Sequence, residues 1–205
     1  MRNVGSSRPI CQRCERPLSA CICRFVAPTA NRTEVLVLQH PSEAGQAKGT
    51  ARLLALSLAR CTVQVGEQFT PPDDGLENWL LYPGPAAPAG SPGGGRSRLI
   101  VLDGTWRKSR LLLQQNPWLQ ALPRLALDAS SSSGYSALRR AHAPGQLSTL
   151  EATALALGQI ESNEARYTPL LAGFAGFVDY SISFSRQTRH AEDAAYADAP
   201  HPAEP

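Results

Sequence analysis

Leu99-Ile100-Val101-Leu102 runs straight into Asp103-Gly104-Thr105-Trp106, and a basic, leucine-rich segment beginning Arg107-Lys108 follows. A short continuous apolar run bounded by turn residues reads as a strand buried on both faces. The segment after it reads as a helix from Thr105 to Gln115. Strand, tight turn, helix is the unit of an open α/β sheet, in which ligands collect at the carboxyl ends of the strands. Asp103 is therefore a candidate acid or base at that edge. Trp106 is an aromatic wall beside it.

Working outward, the same pattern recurs. Glu34–Gln39 is a strand closed by His40-Pro41, and residues 44–60, rich in alanine and leucine, are expected to be helical. Thr62–Val65, Trp79–Tyr82 and Leu125–Leu127 are further strands. Residues 83–97, mostly Pro, Gly, Ala and Ser, form a loop that is functional or disordered. Ser148 with Glu151 three residues on is a capping box for a helix running to about Ser162. An amphipathic stretch covers about 167–187, and the Ala-, Pro- and acid-rich residues 190–205 read as a disordered tail. The division is a leader and cysteine knuckle over 1–30, a catalytic domain over 31–189, and the tail over 190–205. The expected class is α/β with a mostly parallel sheet.

A chain of 205 residues suits one such domain. The net charge of +3, carried mainly by arginine, permits nucleic-acid binding without requiring it. The chain has no apolar run long enough for a membrane span and no signal-like apolar core at its start, so a cytoplasmic protein is expected.

Cys11-x2-Cys14 and Cys21-x-Cys23 cluster near the start. Four thiolates can close a tetrahedral zinc shell, and closed shells are structural. A reduced, metal-free flap is the alternative. Arg13, Arg16 and Arg24 beside them suit phosphate contacts or a solvated surface equally. Cys61 stands alone and reads as a small buried apolar residue.

Several chemistries are excluded. Gly45-Gln46-Ala47-Lys48-Gly49-Thr50 has its lysine and second glycine in the wrong order for a phosphate loop. No G-x-G-x-x-G follows a strand, and no G-x-S-x-G elbow is present. His40 is either a structural residue or a pocket residue. Tyr82-Pro83-Gly84, Asp103–Trp106 and Gln146–Glu151 are junctions whose backbone groups could together hold a small adenosine-type ligand, with a ligand carboxylate on the amides of the helix starting at Thr149.

Asp103-Gly104-Thr105-Trp106 resembles the D-x-T-W signature of the DTW-domain family. The cysteine pattern, His40-Pro41-x-Glu43, Leu81-Tyr82-Pro83-Gly84 and Leu147-Ser148-Thr149-Leu150-Glu151-Ala152 follow in that family's order, so the likeness covers about 11–187. The resemblance implies a SPOUT-like fold with a C-terminal trefoil knot and an N-terminal zinc knuckle. It implies a tRNA-uridine aminocarboxypropyltransferase, which moves the 3-amino-3-carboxypropyl group of S-adenosylmethionine to N3 of a uridine and releases methylthioadenosine. The compact form resembles bacterial members, which modify position 47.

On this likeness Asp103 is catalytic. Tyr82, Pro83, Gly84, Leu102, Asp103, Gly104, Thr105, Trp106, Leu147, Ser148 and Thr149 contact S-adenosylmethionine, and Cys11, Cys14, Cys21 and Cys23 hold zinc. His40, Arg107, Lys108, Arg110, Arg139 and Arg140 meet tRNA, and Tyr135 is a base-stacking or a structural tyrosine. A monomer without an obligate protein partner is expected. A methyltransferase on the same cofactor and a non-catalytic zinc-stabilised RNA-binding protein are the alternatives.

Overall fold

The structure is a computed structural model that describes residues 9–84, 96–127 and 147–197, with side chains as far as residue 183. Five strands form one sheet: β1 (Glu34–Gln39), β2 (Cys61–Val65), β3 (Glu77–Leu81), β4 (Ser97–Asp103) and β5 (Arg124–Leu125). Their order is β2-β1-β4-β3-β5, and every pairing is parallel. The helices are α1 (Ala51–Ser57), α2 (Trp106–Gln115), α3 (Pro117–Gln120), α4 (Thr149–Ile160) and α5 (Thr168–Ala197).

β4 lies at the centre and is buried along its whole length, as its unbroken apolar run requires. Side chains alternate between its faces. Val35, Val37, Leu99 and Val101 face α1, α4 and α5 through Leu54, Leu157 and Phe174. Leu36, Leu38, Ile100 and Leu102 face α2 and α3 through Leu112 and Leu119. Each fully buried leucine contributes about 2 kcal/mol, so the two apolar layers clamp the sheet from both sides. β1 connects outward to β2, and β4 connects past β3 to β5. The crevice between β1 and β4 at their carboxyl ends is therefore a topological switch point.

Helix starts follow local chemistry. Thr105 Oγ1 accepts the Lys108 amide at 3.4 Å and begins α2. Ser148 Oγ accepts the Glu151 amide at 3.2 Å, while Glu151 Oε2 accepts the Ser148 amide at 2.9 Å. Ser148→Ala should cost about 1 kcal/mol through the lost cap. Thermal unfolding reads this as a lowered midpoint, and an unchanged midpoint would remove the cap from the account.

Three expectations are corrected. The helix expected over 44–60 begins only at Ala51. Gly45 takes φ +82°, and the carbonyls of Gln46, Ala47 and Gly49 are claimed by the Arg16 guanidinium, which leaves them unavailable to a helix. The amphipathic stretch of 167–187 is one helix to Ala197, so residues 190–197 of the expected disordered tail are helical. Four of these eight residues are alanine, the strongest helix former, and proline appears only after them, at Pro200. α3, opened by Pro117 at its first turn, is an additional element. Cys61 is partly buried against the core, and burial pushes its thiol up to about 12, which keeps it unreactive. No helix among the described residues is long and apolar enough to cross a membrane.

Candidate active site

Asp103 is the last residue of β4, and its side chain is held from two sides. Gln39 Nε2 donates to Oδ2 at 2.7 Å, and Thr149 Oγ1 donates to Oδ1 at 2.5 Å. Gln39 ends β1 in direct register with Asp103. Thr149 opens α4 beside the capping Ser148. The His40 amide donates to the Asp103 carbonyl at 3.1 Å. Two strands and a helix start thus converge on one carboxylate. Two charge-assisted bonds fix its plane, and each oxygen keeps acceptor capacity for a ligand.

The segment 103–106 divides two cavities. One, of about 340 Å³, has Asp103, Gly104 and Thr105 on one side and Leu147–Thr149 on another. Its remaining walls are the loop from Glu43 to Thr50 and the α5 side chains Phe174, Phe177 and Val178. The other, of about 390 Å³, is lined by Tyr82, Pro83, Gly84, Trp106, Leu125–Leu127 and Leu147. Leu147 is common to both.

The second cavity has the character of a nucleoside site. Trp106 is half exposed at its rim and meets Tyr82 edge-on, with ring centroids 6.0 Å apart at 72°. The Arg124 guanidinium lies 5.5 Å from the Tyr82 ring centre and donates to the Pro83 carbonyl at 2.9 Å. Gly84 has φ +153°, a conformation that L side chains rarely adopt, so glycine suits this turn, and the Arg124 guanidinium packs against its bare Cα.

Leu102 differs from its neighbours. It packs in the apolar layer beneath α2 and lines neither cavity, because the strand alternation turns its side chain to the opposite face from Asp103. Only its backbone is left to meet a ligand. Ser148 lines the Asp103 cavity with its hydroxyl engaged in the cap.

A wide groove beside the site is lined by His40, Thr105, Arg107, Lys108 and Arg110. Arg107 and Arg110 are exposed. Lys108 Nζ is paired with Glu43 Oε1 at 2.5 Å. His40 is anchored, with Nδ1 2.8 Å from Ser42 Oγ and Nε2 3.4 Å from the Glu67 carboxylate. These contacts fix the ring where it lines the groove. Tyr135, Arg139 and Arg140 lie outside the described residues.

The sulfur atoms of Cys11, Cys14, Cys21 and Cys23 all lie within 4.8 Å of one another. Backbone amides of Cys14 and Arg13 draw the Cys11 thiol down to about 6. Burial, then the neighbouring sulfurs, push Cys23 up to about 12. Four soft donors this close fit a tetrahedral zinc ion. The two arginines beside the cysteines differ, Arg16 having its donors engaged and Arg24 lying exposed against aromatic rings. Arg16 binds three carbonyls of the 46–49 loop, and Arg24 lies 4.0 Å from the Tyr180 ring centre.

Gln39, Arg124 and the cavity-facing loop from Glu43 to Thr50 are functional candidates that the sequence pattern passed over. Gln39 carried one signal, a lone polar residue ending an apolar strand.

These features define a parallel α/β protein with two cavities flanking the switch point of its sheet and a four-cysteine knuckle. The chain matches the DTW domain over residues 8–182 and belongs to that family. It is 30% identical over 200 residues to tRNA-uridine aminocarboxypropyltransferase 2 of Mus musculus, an alignment that covers 89% of this chain and 66% of that protein. It is 32% identical over 177 residues to the Drosophila melanogaster protein of the same name, covering 77% of this chain and 69% of the relative. It is 28% identical over 197 residues to tRNA-uridine aminocarboxypropyltransferase A of Arabidopsis thaliana, covering 75% and 73%. The chain thus spans about two thirds of the length of the mouse relative. No solved structure matches it.

Proposed function

We propose that this protein is a tRNA-modifying enzyme that moves the 3-amino-3-carboxypropyl group of S-adenosylmethionine to N3 of a tRNA uridine, position 47 being the expected target. The observation that carries this reading is the pair of cavities on the two sides of residues 103–106, one bringing the Asp103 carboxylate and the polar loop residues together with apolar α5 side chains, the other walled by Tyr82, Trp106 and aliphatic side chains. The names of the relatives support it.

In this reading the adenosine of the donor occupies the Tyr82–Trp106 cavity, against Pro83 and Gly84. The uracil and the arm being transferred meet in the Asp103 cavity. An N3–Cγ bond forms, and the Cγ–sulfur bond breaks with its electron pair going to sulfur. The sulfonium leaves as neutral methylthioadenosine, so the leaving group needs little help. The N3 proton is the obstacle, and Asp103 accepts it or orients the base as attack begins. Gln39 and Thr149 hold that carboxylate to one plane, and positioning of this sort supplies much of the acceleration. The pocket must also present Cγ rather than the methyl group.

Arg107 and Arg110 are the groove residues best placed for tRNA phosphates, with Lys108, His40, Arg139 and Arg140 as further contacts of the same class. The uridine leaves its stack to expose N3. Cys11, Cys14, Cys21 and Cys23 would hold a structural zinc ion. A SPOUT-like fold with a C-terminal knot, a cytoplasmic monomer, and the boundaries 1–30, 31–189 and 190–205, the last crossed by α5 as far as Ala197, complete the proposal.

The test is a mass measurement on unmodified tRNA incubated with the protein and S-adenosylmethionine. A gain of the aminocarboxypropyl mass with release of methylthioadenosine is expected. A methyl gain would make the protein a methyltransferase, and unmodified RNA would make it a binding protein. Trp106→Ala should weaken donor affinity about tenfold, the scale of one lost aromatic contact. Titration calorimetry checks this, and unchanged affinity would move the donor out of that cavity.

A further inference from the structure

We propose that Arg16 is a positioning residue for the Asp103 cavity, and that through it the cysteine knuckle sets the shape of the loop walling that cavity. Arg16 lies two residues after Cys14, and its carbonyl accepts the Cys11 amide at 2.8 Å inside the knuckle turn. Its side chain reaches away from the cysteines. Nη1 donates to the Ala47 carbonyl at 2.7 Å, and Nη2 to those of Gly49 at 3.0 Å and Gln46 at 3.3 Å. Gln46 and Gly49 line the Asp103 cavity, and Arg16 does not. The guanidinium also lies 5.6 Å from the ring centre of Phe177, which belongs to another wall of the same cavity.

The loop's other bonds are local: the Gln46 amide donates to the Glu43 carbonyl at 3.2 Å, Gln46 Nε2 to the Ser42 carbonyl at 3.0 Å, and the Gly49 amide to the Gln46 carbonyl at 2.9 Å. Arg16 is the partner that ties these turns to a distant part of the chain. A planar fork with several donors can gather three carbonyls at fixed spacing, which a lysine ammonium cannot do. Closure of four sulfurs about one ion would fix the backbone of Arg16, and the side chain passes that constraint to the loop. The knuckle then acts on the site without touching a ligand.

The ligand side of this claim rests on the transferase reading, so the first measurement does not use a ligand. Hydrogen exchange of residues 44–50 is compared in the full-length wild type, Arg16→Ala, Arg16→Lys and Arg24→Ala, each with its metal content measured. Exchange is expected to rise on the order of tenfold in Arg16→Ala, partly in Arg16→Lys and not in Arg24→Ala. Arg16→Lys, which keeps the charge, carries the test should the alanine variant fail to fold. Chelation of the wild type should raise exchange at 44–50 together with 11–23. Loop exchange unmoved by Arg16→Ala, or by chelation, overturns the proposal. In turnover, Arg16→Ala should raise KM for S-adenosylmethionine about tenfold and leave kcat within about twofold. A loosened loop with unchanged KM would reduce Arg16 to a structural residue and overturn its positioning role. A wild type that turns over no S-adenosylmethionine would sink the transferase reading while the exchange data still decide what Arg16 holds.

Discussion

Asp103→Asn is expected to abolish transfer while leaving the protein folded, with kcat lower by about 10²–10⁴-fold, the usual contribution of a positioned acid or base. The asparagine side chain has the shape of the carboxylate, and its oxygen can still accept from Thr149 or Gln39. What it loses is the negative charge and the capacity to take the N3 proton. Donor affinity should stay within about threefold, because in the proposed arrangement the donor's adenosine lies across the 103–106 segment from this carboxylate. Asp103→Ala is the harsher variant. It leaves the Gln39 amide and the Thr149 hydroxyl without their acceptor, at about 1–3 kcal/mol each, so part of its effect is stability. Thr149→Val and Gln39→Leu each release one oxygen of Asp103 and should cut kcat about tenfold with little change in KM. Single-turnover rates separate these cases. Wild-type transfer by Asp103→Asn would remove Asp103 from the chemistry.

The strands were legible because a buried parallel strand must be an uninterrupted apolar run, and Val35–Leu38 and Leu99–Leu102 are such runs. Helix starts were legible where the cap is local, as at Thr105 and Ser148. The misses share a cause: their partners are remote in sequence. Residues 44–50 mix Ala, Gln and Lys with two glycines, and Arg16, some thirty residues away, takes the carbonyls of Gln46, Ala47 and Gly49. Gln39 becomes a partner of Asp103 only through the β1–β4 register, which pairs residues 64 apart. Leu102 sits in the signature region but on the wrong side of the pleat for a side-chain contact. Arg24 suits phosphate or solvent equally from its neighbours in the chain, and its contact with Tyr180, remote in sequence, comes from the fold. Local chemistry located the edge where the ligands belong. The contacts that shape the site are set by the fold.

Removal of the metal is expected to have the second largest effect. The knuckle has little structure of its own beyond short turns at Leu18–Ala20 and Cys23–Phe25. Yet it sends Cys14 and Ile22 into the main apolar core beside Leu170 and Phe174. Phe25 packs edge-on to Phe177 with ring centroids 6.0 Å apart, and Tyr180 Oη donates to the Ser19 carbonyl at 2.7 Å. At Gly173, a Cβ would strike the Phe25 carbonyl, so α5 and the knuckle are in backbone contact. The wild type should hold about one zinc ion per chain. Cys14→Ser should lose it and free Ile22 and Phe25 from their burial, about 2 kcal/mol each. At about 2–4 °C per kcal/mol for a chain of this size, the unfolding midpoint should fall on the order of 10 °C. Chelation of the wild type should reproduce the fall, and Cys61→Ser, outside the cluster, should keep the metal. Elemental analysis, thiol titration and thermal unfolding check these together. A metal-free wild type with four freely titrating knuckle thiols and a midpoint untouched by Cys14→Ser would mean that the knuckle packs without an ion. Arg16 would then reach the 46–49 loop from a knuckle positioned by its hydrophobic contacts with α5 instead of by a metal.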